Sequence, residues 1–287
     1  MGQYLSGTLE LLGYDFVQTA LIAAAVLGLV AGVLGPLIVT RNMAFSVHGT
    51  SELAFTGGAA ALLAGFNIGY GSLVGAIAAA VVLGLLTRKT SEHDSVIGAV
   101  LSFGLGLGVL LLSFYGGNST NKFGLLIGQI VGVDSTSLVL LTSSAIAVLV
   151  VLAVIYRPLL FASVDGEVAA ARGVPIRLLS PVFAVLVGVV TALGVQTVGS
   201  LLVLSLMITP AAAACRVTAS PLLATVLSVV FAEVAVLGGI VLSLEPGKPV
   251  SAFVTALSFL IYLVCRAVGA VRQRRIGSRR PSAVAVA

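Results

Sequence analysis

Three ionisable side chains fall within long apolar stretches of this 287-residue chain: His48 and Glu52, four positions apart, and Glu233. A spacing of four puts an imidazole and a carboxylate on one helical face, with Cβ atoms about 5–6 Å apart. One ring nitrogen and one carboxylate oxygen at that separation could grip the same cation. Glu233 lies near the middle of its own stretch, at a depth similar to Glu52, and could supply a further oxygen from a facing helix. A charge near the bilayer centre costs about 2.5–3.5 kcal/mol on insertion scales, so such groups are expected to face a bundle interior or a wet cavity. Two other uses stay open. His48 and Glu52 could bond each other while Glu233 satisfies a backbone or hydroxyl group, or the three could relay protons.

The elements that must position these groups are membrane helices. The chain is 59% hydrophobic and 9% charged, with mean hydropathy +1.19, against about 25% charged residues in soluble domains. Breaking the hydropathy at charges and turn residues gives nine spans of roughly membrane-crossing length: Phe16 to Val39, Ala44 to Ala64, Tyr70 to Leu86, Ser95 to Ser113, Ser137 to Ile155, Leu178 to Leu193, Val198 to Ala214, Leu222 to Leu244 and Ala252 to Val268. The long run from Leu178 to Ala214 is divided at Gly194, Gln196, Thr197 and Gly199, where polar and turn residues interrupt it. The expected architecture is all-α, a polytopic helix bundle forming one transmembrane domain over residues 1–270, followed by a basic cytoplasmic tail over 271–287. The first span follows Glu10 and Asp15 rather than basic residues, the wrong flank for a cleaved signal peptide, and is expected to stay in the mature protein.

Orientation follows from the basic residues of short loops, which stay on the cytoplasmic side. With the tail arginines (Arg272, Arg274, Arg275, Arg279 and Arg280) inside, Arg41, Arg88, Lys89, Arg157, Arg172, Arg177, Arg216 and Arg266 fall inside too. Only Lys122 and Lys248 are left outside, and the amino terminus lies outside. This predicts a plasma-membrane protein whose net charge of +5 meets anionic lipid rather than nucleic acid, since no aromatic residues interleave the tail to stack bases. Cys215 and Cys265 form no CxxC pair and read as packing residues. The segment Tyr115 to Thr136 is too polar to span, although Phe123 to Val133 could lie at the outer interface.

Energy supply is informative by absence. No G-x-x-x-x-G-K-[ST] phosphate loop occurs, so ATP hydrolysis by that route needs a partner chain. The run Gly104-Leu-Gly-Leu-Gly108 lies inside a span with no preceding strand and reads as close helix packing through small residues. The longest inner loop, Tyr156 to Arg177, has an Ala-rich middle that favours a short helix, ended by Gly173 and Pro175. Its Asp165, Glu167 and Arg172 either keep a connection wet or dress a docking element for a cytosolic motor.

Five segments in order resemble the permease subunits of zinc and manganese ABC importers. They are Gly35-Pro-Leu-Ile-Val-Thr-Arg-Asn-Met-Ala44 at the first inner turn, Ser51 to Gly57 on the second span, Ser91-Glu-His-Asp-Ser-Val-Ile-Gly98, Asp165-Gly-Glu-Val-Ala-Ala-Ala-Arg-Gly173, and Val198 to Ala212 closing on Pro-Ala. The chain departs from that family where it matters. The family commonly carries Asp and, four residues later, His on the second span. Here the order is reversed as His48 and Glu52, and Thr56 stands where Pro is usual. Imidazole suits zinc and carboxylates suit manganese, so the donor set leaves the metal open.

The resemblance implies a homodimer in the membrane, two cytosolic ATPase subunits and an extracytoplasmic metal-binding protein delivering near Asn67, Asn118 and Glu245. It implies no permanently bound cofactor and zinc or manganese as cargo, which depth and spacing would assign to His48, Glu52 and, from a facing helix, Glu233. Alternating access would be driven through a coupling segment containing Asp165, Glu167, Arg172 and Gly173. The nearer rival is a permease for iron chelates or cobalamin, which would want a wider cavity. A secondary transporter driven by an ion gradient would need no ATPase. A purely structural membrane protein would leave the midspan carboxylates unexplained.

Overall fold

The computed structural model describes residues 11–86, 93–117, 135–244, 246 and 249–277. Ten helices follow one another within them: α1 (Asp15–Thr40), α2 (Ala44–Ala64), α3 (Ile68–Leu86), α4 (His93–Phe114), α5 (Ser135–Val164), α6 (Gly166–Ala171), α7 (Ile176–Val198), α8 (Ser200–Val217), α9 (Pro221–Leu244) and α10 (Val250–Gly277). Six of these, α1, α4, α5, α7, α9 and α10, are long and apolar enough to cross a membrane, and α3 and α8 contain shorter apolar stretches. Helix α2 differs. It carries His48, Thr50, Ser51, Glu52 and Thr56, a load tolerable at membrane depth only when neighbouring helices enclose it. They do: α2 packs on α3, α4, α7 and α8, and Thr50, Ser51, Glu52 and Thr56 are all buried.

Small residues set how the helices approach, and their contacts fix the directions. Gly57 on α2 meets the backbone of Gly71 and Gly75 on α3, and Gly75 in turn meets Leu53 and Ala54, so these two helices run antiparallel. Gly28 and Gly32 on α1 lie against Glu233 and Val229 of α9, again antiparallel. Gly49 faces Ile97, Gly104 faces Glu52 and Gly108 faces Phe55, which makes α2 and α4 parallel. Backbones this close leave no room for a Cβ, the usual device of helix association in lipid. The glycine run on α4 is thus a packing seam, with Gly104 and Gly108 turned to α2 and Gly106 open.

The result is a bundle with two ends. One end gathers Arg41, Ser163, Ser180, the short helix α6 and the α8–α9 turn, with Arg216 beside Gly269 of α10. We call it the basic end. The core between the ends includes Leu34, Ile38, Val47, Phe55, Phe183, Leu202 and Leu206, all at most 1% exposed. The outward faces remain apolar, as at Phe103 and Phe114 on α4, Val150 and Val154 on α5, and Leu222 and Val226 on α9. Apolar residues both inside and outside are what a helix surrounded by lipid requires.

Most expected spans coincide with helices to within a turn, and three run longer, the sixth continuing past Leu193 to Val198. The division of the Leu178–Ala214 stretch falls at Gly199, whose φ of +83° suits a residue without Cβ and separates α7 from α8. The fifth span, expected to stop at Ile155, continues through Pro158 to Val164. Leu159 is fully buried, and Ser163 Oγ donates back to Leu159 O at 2.7 Å. That packing offsets the single backbone bond a mid-helix proline removes. The last span, expected to end at Val268, runs on to Gly277 and takes Arg272, Arg274 and Arg275 into the helix. Straight-chain basic residues are good helix formers, so charge alone does not end it. The expected interfacial segment Phe123 to Val133, and the residues Arg88, Lys89, Asn118, Lys122, Glu245, Lys248, Arg279 and Arg280, lie outside the described residues.

Candidate functional site

Helix α2 begins directly after the turn Arg41-Asn42-Met43, and its first four turns carry the polar groups. The hydroxyls turn back on their own helix: Thr50 Oγ1 donates to Ser46 O at 2.9 Å and Ser51 Oγ to His48 O at 2.8 Å. Thr56 Oγ1 lies 2.8 Å from Glu52 O and 2.6 Å from Gly104 O on α4, tying the two parallel helices at the level of the carboxylate. That tie needs a hydroxyl and could not be made by proline. The hydroxyls of Thr50, Ser51 and Thr56 are therefore occupied, and the imidazole and carboxylate keep unused capacity.

His48 Nδ1 stands 3.9 Å from Glu52 Oε1. The distance is too long for a strong hydrogen bond, and Nδ1 of His48 and Oε2 of Glu52 have no hydrogen-bond partner among the described residues. Glu52 is 2% exposed, while the His48 side chain is 31% exposed. A buried carboxylate oxygen without a donor is costly unless something positive completes it. The arrangement offers one nitrogen and two oxygens, with the imidazole on the accessible side and the carboxylate behind it.

Glu233 occupies a different place. It lies on α9 with Oε1 against Gly28 of α1, where an added Cβ would come within 3.0 Å of it. Helix α9 packs mainly on α1, α8 and α10, whereas α2 packs mainly on α3, α4, α7 and α8, so the two helices share α8 as a neighbour without packing extensively on each other. Among the described residues, no three of His, Cys, Asp and Glu gather closely enough to hold a metal. The structure brings His48 and Glu52 together and leaves Glu233 apart from them.

The loop expected to contain a short helix contains α6. Asp165 caps it by accepting from Val168 N–H at 3.0 Å, and Gly173 closes it with φ +83°. The N–H groups of Gly173 and Val174 return to Ala170 O and Ala169 O, the paired bonds of a Schellman ending. Ala169 anchors the helix at 0% exposure, while Glu167 and Arg172 are exposed together with Val164, Val168 and Leu178. A small projecting element with a charged and apolar outer face results, at the basic end of the bundle.

Arg41 has a role that charge counting missed. Its guanidinium donates to Ser163 Oγ at 3.4 Å and Ser180 Oγ at 3.0 Å, and lies 5.4 Å from the ring centre of buried Phe183. In the sequence only its nearness to the end of an apolar run was visible, because its partners are more than 120 residues away.

A family model described as the ABC 3 transport family matches residues 13–269, which is nearly every helix of the bundle. The chain belongs to this family. Among its relatives are the manganese transport system membrane protein MntC of Listeria innocua, 31% identical over 265 residues and covering 91% of this chain and 93% of that one. Another is the manganese import system permease protein ScaB of Streptococcus parasanguinis, 32% identical over 202 residues, covering 70% and 72%. Of solved structures, PsaBC from Streptococcus pneumoniae in complex with Fab superposes with a TM-score of 0.82 at 27% identity, over 92% of this chain and 94% of that one. An inward-facing putative metal-chelate ABC transporter shares the fold at 18% identity, with a TM-score of 0.66.

Proposed function

We propose that this ABC 3 family chain is the membrane-spanning permease subunit of an ATP-driven importer of a divalent transition metal, manganese in the first place, which passes between His48 and Glu52. The observation that carries the site is the buried, unpartnered Glu52 oxygen beside an unpartnered imidazole nitrogen on one face of α2. Carboxylate and water suit manganese, and several relatives are named as manganese systems. Zinc is the second reading, favoured by the imidazole alone. One nitrogen and one carboxylate do not fill a coordination sphere, so water or main-chain oxygen would complete it. Partial coordination suits cargo that must leave again. Glu233 is left out of this site within one chain, a reading supported by its helix packing mainly on α1, α8 and α10.

The supply of energy and of metal belongs to partners. The chain lacks a phosphate loop, and exposed α6 with Glu167 and Arg172 fits a docking element for a cytosolic ATPase. The gathering of Arg41, Arg172, Arg177 and Arg216 at one end supports a cytosolic basic end and carboxyl terminus, with the amino terminus outside. A metal-binding protein would deliver at the opposite end, and a second copy of the chain would complete the membrane unit. Uptake of radioactive manganese by cells lacking the native gene, complemented with wild type, His48→Ala or Glu52→Ala, tests the reading. Wild type is expected to restore uptake and both variants to fail while still inserting. Full uptake by both variants would refute it.

A further inference from the structure

Arg41 sits in the three-residue turn between α1 and α2, and that turn is stiff. Met43 N–H bonds to Ile38 O at 3.0 Å and Asn42 N–H to Val39 O at 3.2 Å, while Asn42 takes φ +54°. This is a Schellman ending with Asn in the left-handed position. Helix α2 starts at once, since Val47 N–H already bonds to Met43 O. His48 follows Arg41 by only seven residues, with no flexible segment between them. A displacement of the Arg41 side chain is therefore felt at the first turns of α2.

What Arg41 holds is equally specific. Ser163 is the penultimate residue of α5 and Ser180 lies in the second turn of α7, so the two hydroxyls flank α6 and its connections on either side. Phe183, whose ring the guanidinium approaches, is fully buried one turn further along α7. Among the described residues no carboxylate pairs with Arg41. A half-buried cation held by two neutral hydroxyls and a ring face has partners it can exchange without stranding a counter-charge. Beside the contact lies a cavity of about 290 Å³ lined by Leu37, Thr40, Leu160, Ser163, Cys215 and Thr218 among others. This half-open space leaves the end of α5 room to shift against α1.

We propose that Arg41 is a positioning residue that transmits movement of the α6 loop to the metal-bearing helix, clasping both flanks of that loop to the turn from which α2 departs. The inference rests on α6 being the ATPase docking element and on His48 and Glu52 being the metal site. When the docked ATPase moves α6, Ser163 and Ser180 move with it. The guanidinium carries that motion into the α1–α2 turn and so to His48.

The test uses the complete complex of permease, ATPase and metal-binding protein in proteoliposomes, with manganese as the probe, reading ATP hydrolysed and manganese transported in the same vesicles. Arg41→Ala is expected to keep ATPase association and manganese binding, while manganese moved per ATP falls about tenfold, the scale of couplings carried by such contacts. Arg41→Lys should recover part of the ratio, because an ammonium can reach one hydroxyl but not fork to both. Ser163→Ala combined with Ser180→Ala keeps the charge, removes both acceptors together with the Ser163 Oγ bond to Leu159 O, and should lower the ratio in the same direction. It decides the question if Arg41→Ala does not fold. An unchanged ratio in the double serine variant, or in Arg41→Ala with the ATPase still bound, would overturn the inference. Failure of the docking reading looks different: the ATPase would then stay associated and active when Glu167 and Arg172 are replaced, whatever happens at Arg41.

Discussion

The seam between α2 and α3 makes a quantitative demand. A Cβ at Gly57 would meet Gly71 O inside contact distance and lie 2.9 Å from both the N and Cα of Gly75. These are backbone atoms, so no side chain can rotate away. Restoring ordinary contact near 3.4 Å to Gly75 alone requires the helices to part by roughly 0.5 Å, and the Gly71 carbonyl requires more. Overpacking of this type costs about 1–3 kcal/mol. Alanine regains up to about 1 kcal/mol of helix propensity over glycine, so the net loss for Gly57→Ala is on the order of 0–2 kcal/mol. Gly106, whose Cβ would meet nothing within 4 Å, supplies the control. Gly106→Ala should be neutral or stabilising by up to about 1 kcal/mol. Thermal unfolding of the two purified variants in one detergent measures the difference. The reasoning predicts a lower Tm for Gly57→Ala than for Gly106→Ala, and weaker manganese binding as well, since Gly57 lies five residues after Glu52 on the displaced helix. Equal Tm and equal affinity in the two variants would show that the seam is not packed as described.

Further outcomes follow from the same geometry. Metal binding needs a neutral imidazole and an ionised carboxylate, so protons compete with manganese. Uptake should fall as pH drops and the imidazole and carboxylate take up protons, and recover as pH rises. Flat uptake between pH 5 and 8, measured with the ATPase saturated, would argue against His48 as a ligand. Replacing Glu167 and Arg172 together by alanine should reduce co-purification of the ATPase while leaving the helices intact, because both are exposed and Asp165 still caps α6.

The helices were legible because a bilayer leaves the sequence few choices. Nearly every apolar run became a helix, and Gly199 broke the longest one where polar residues had marked it. Helix ends were harder to read. Pro158 and the basic residues after Val268 carry stop signals that buried Leu159 and strong helix propensity override. Of the site, the His48 and Glu52 pair could be read because helical spacing is local. Whether Glu233 joined them depended on which helices pack together, and no local pattern encodes that. The same limit hid Arg41, whose partners on α5 and α7 come together only in the folded bundle.

The proposed site holds one manganese ion between His48 and Glu52. Manganese titration of the purified permease, followed by calorimetry or electron paramagnetic resonance, tests it most directly with His48→Ala, Glu52→Gln and, as control, Glu233→Gln. The first two are expected to lose affinity by at least about 100-fold, beyond the effect of changing a mere supporting residue. Glu233→Gln should bind as wild type does. Undiminished binding by either α2 variant, or loss of binding by Glu233→Gln alone, would contradict it.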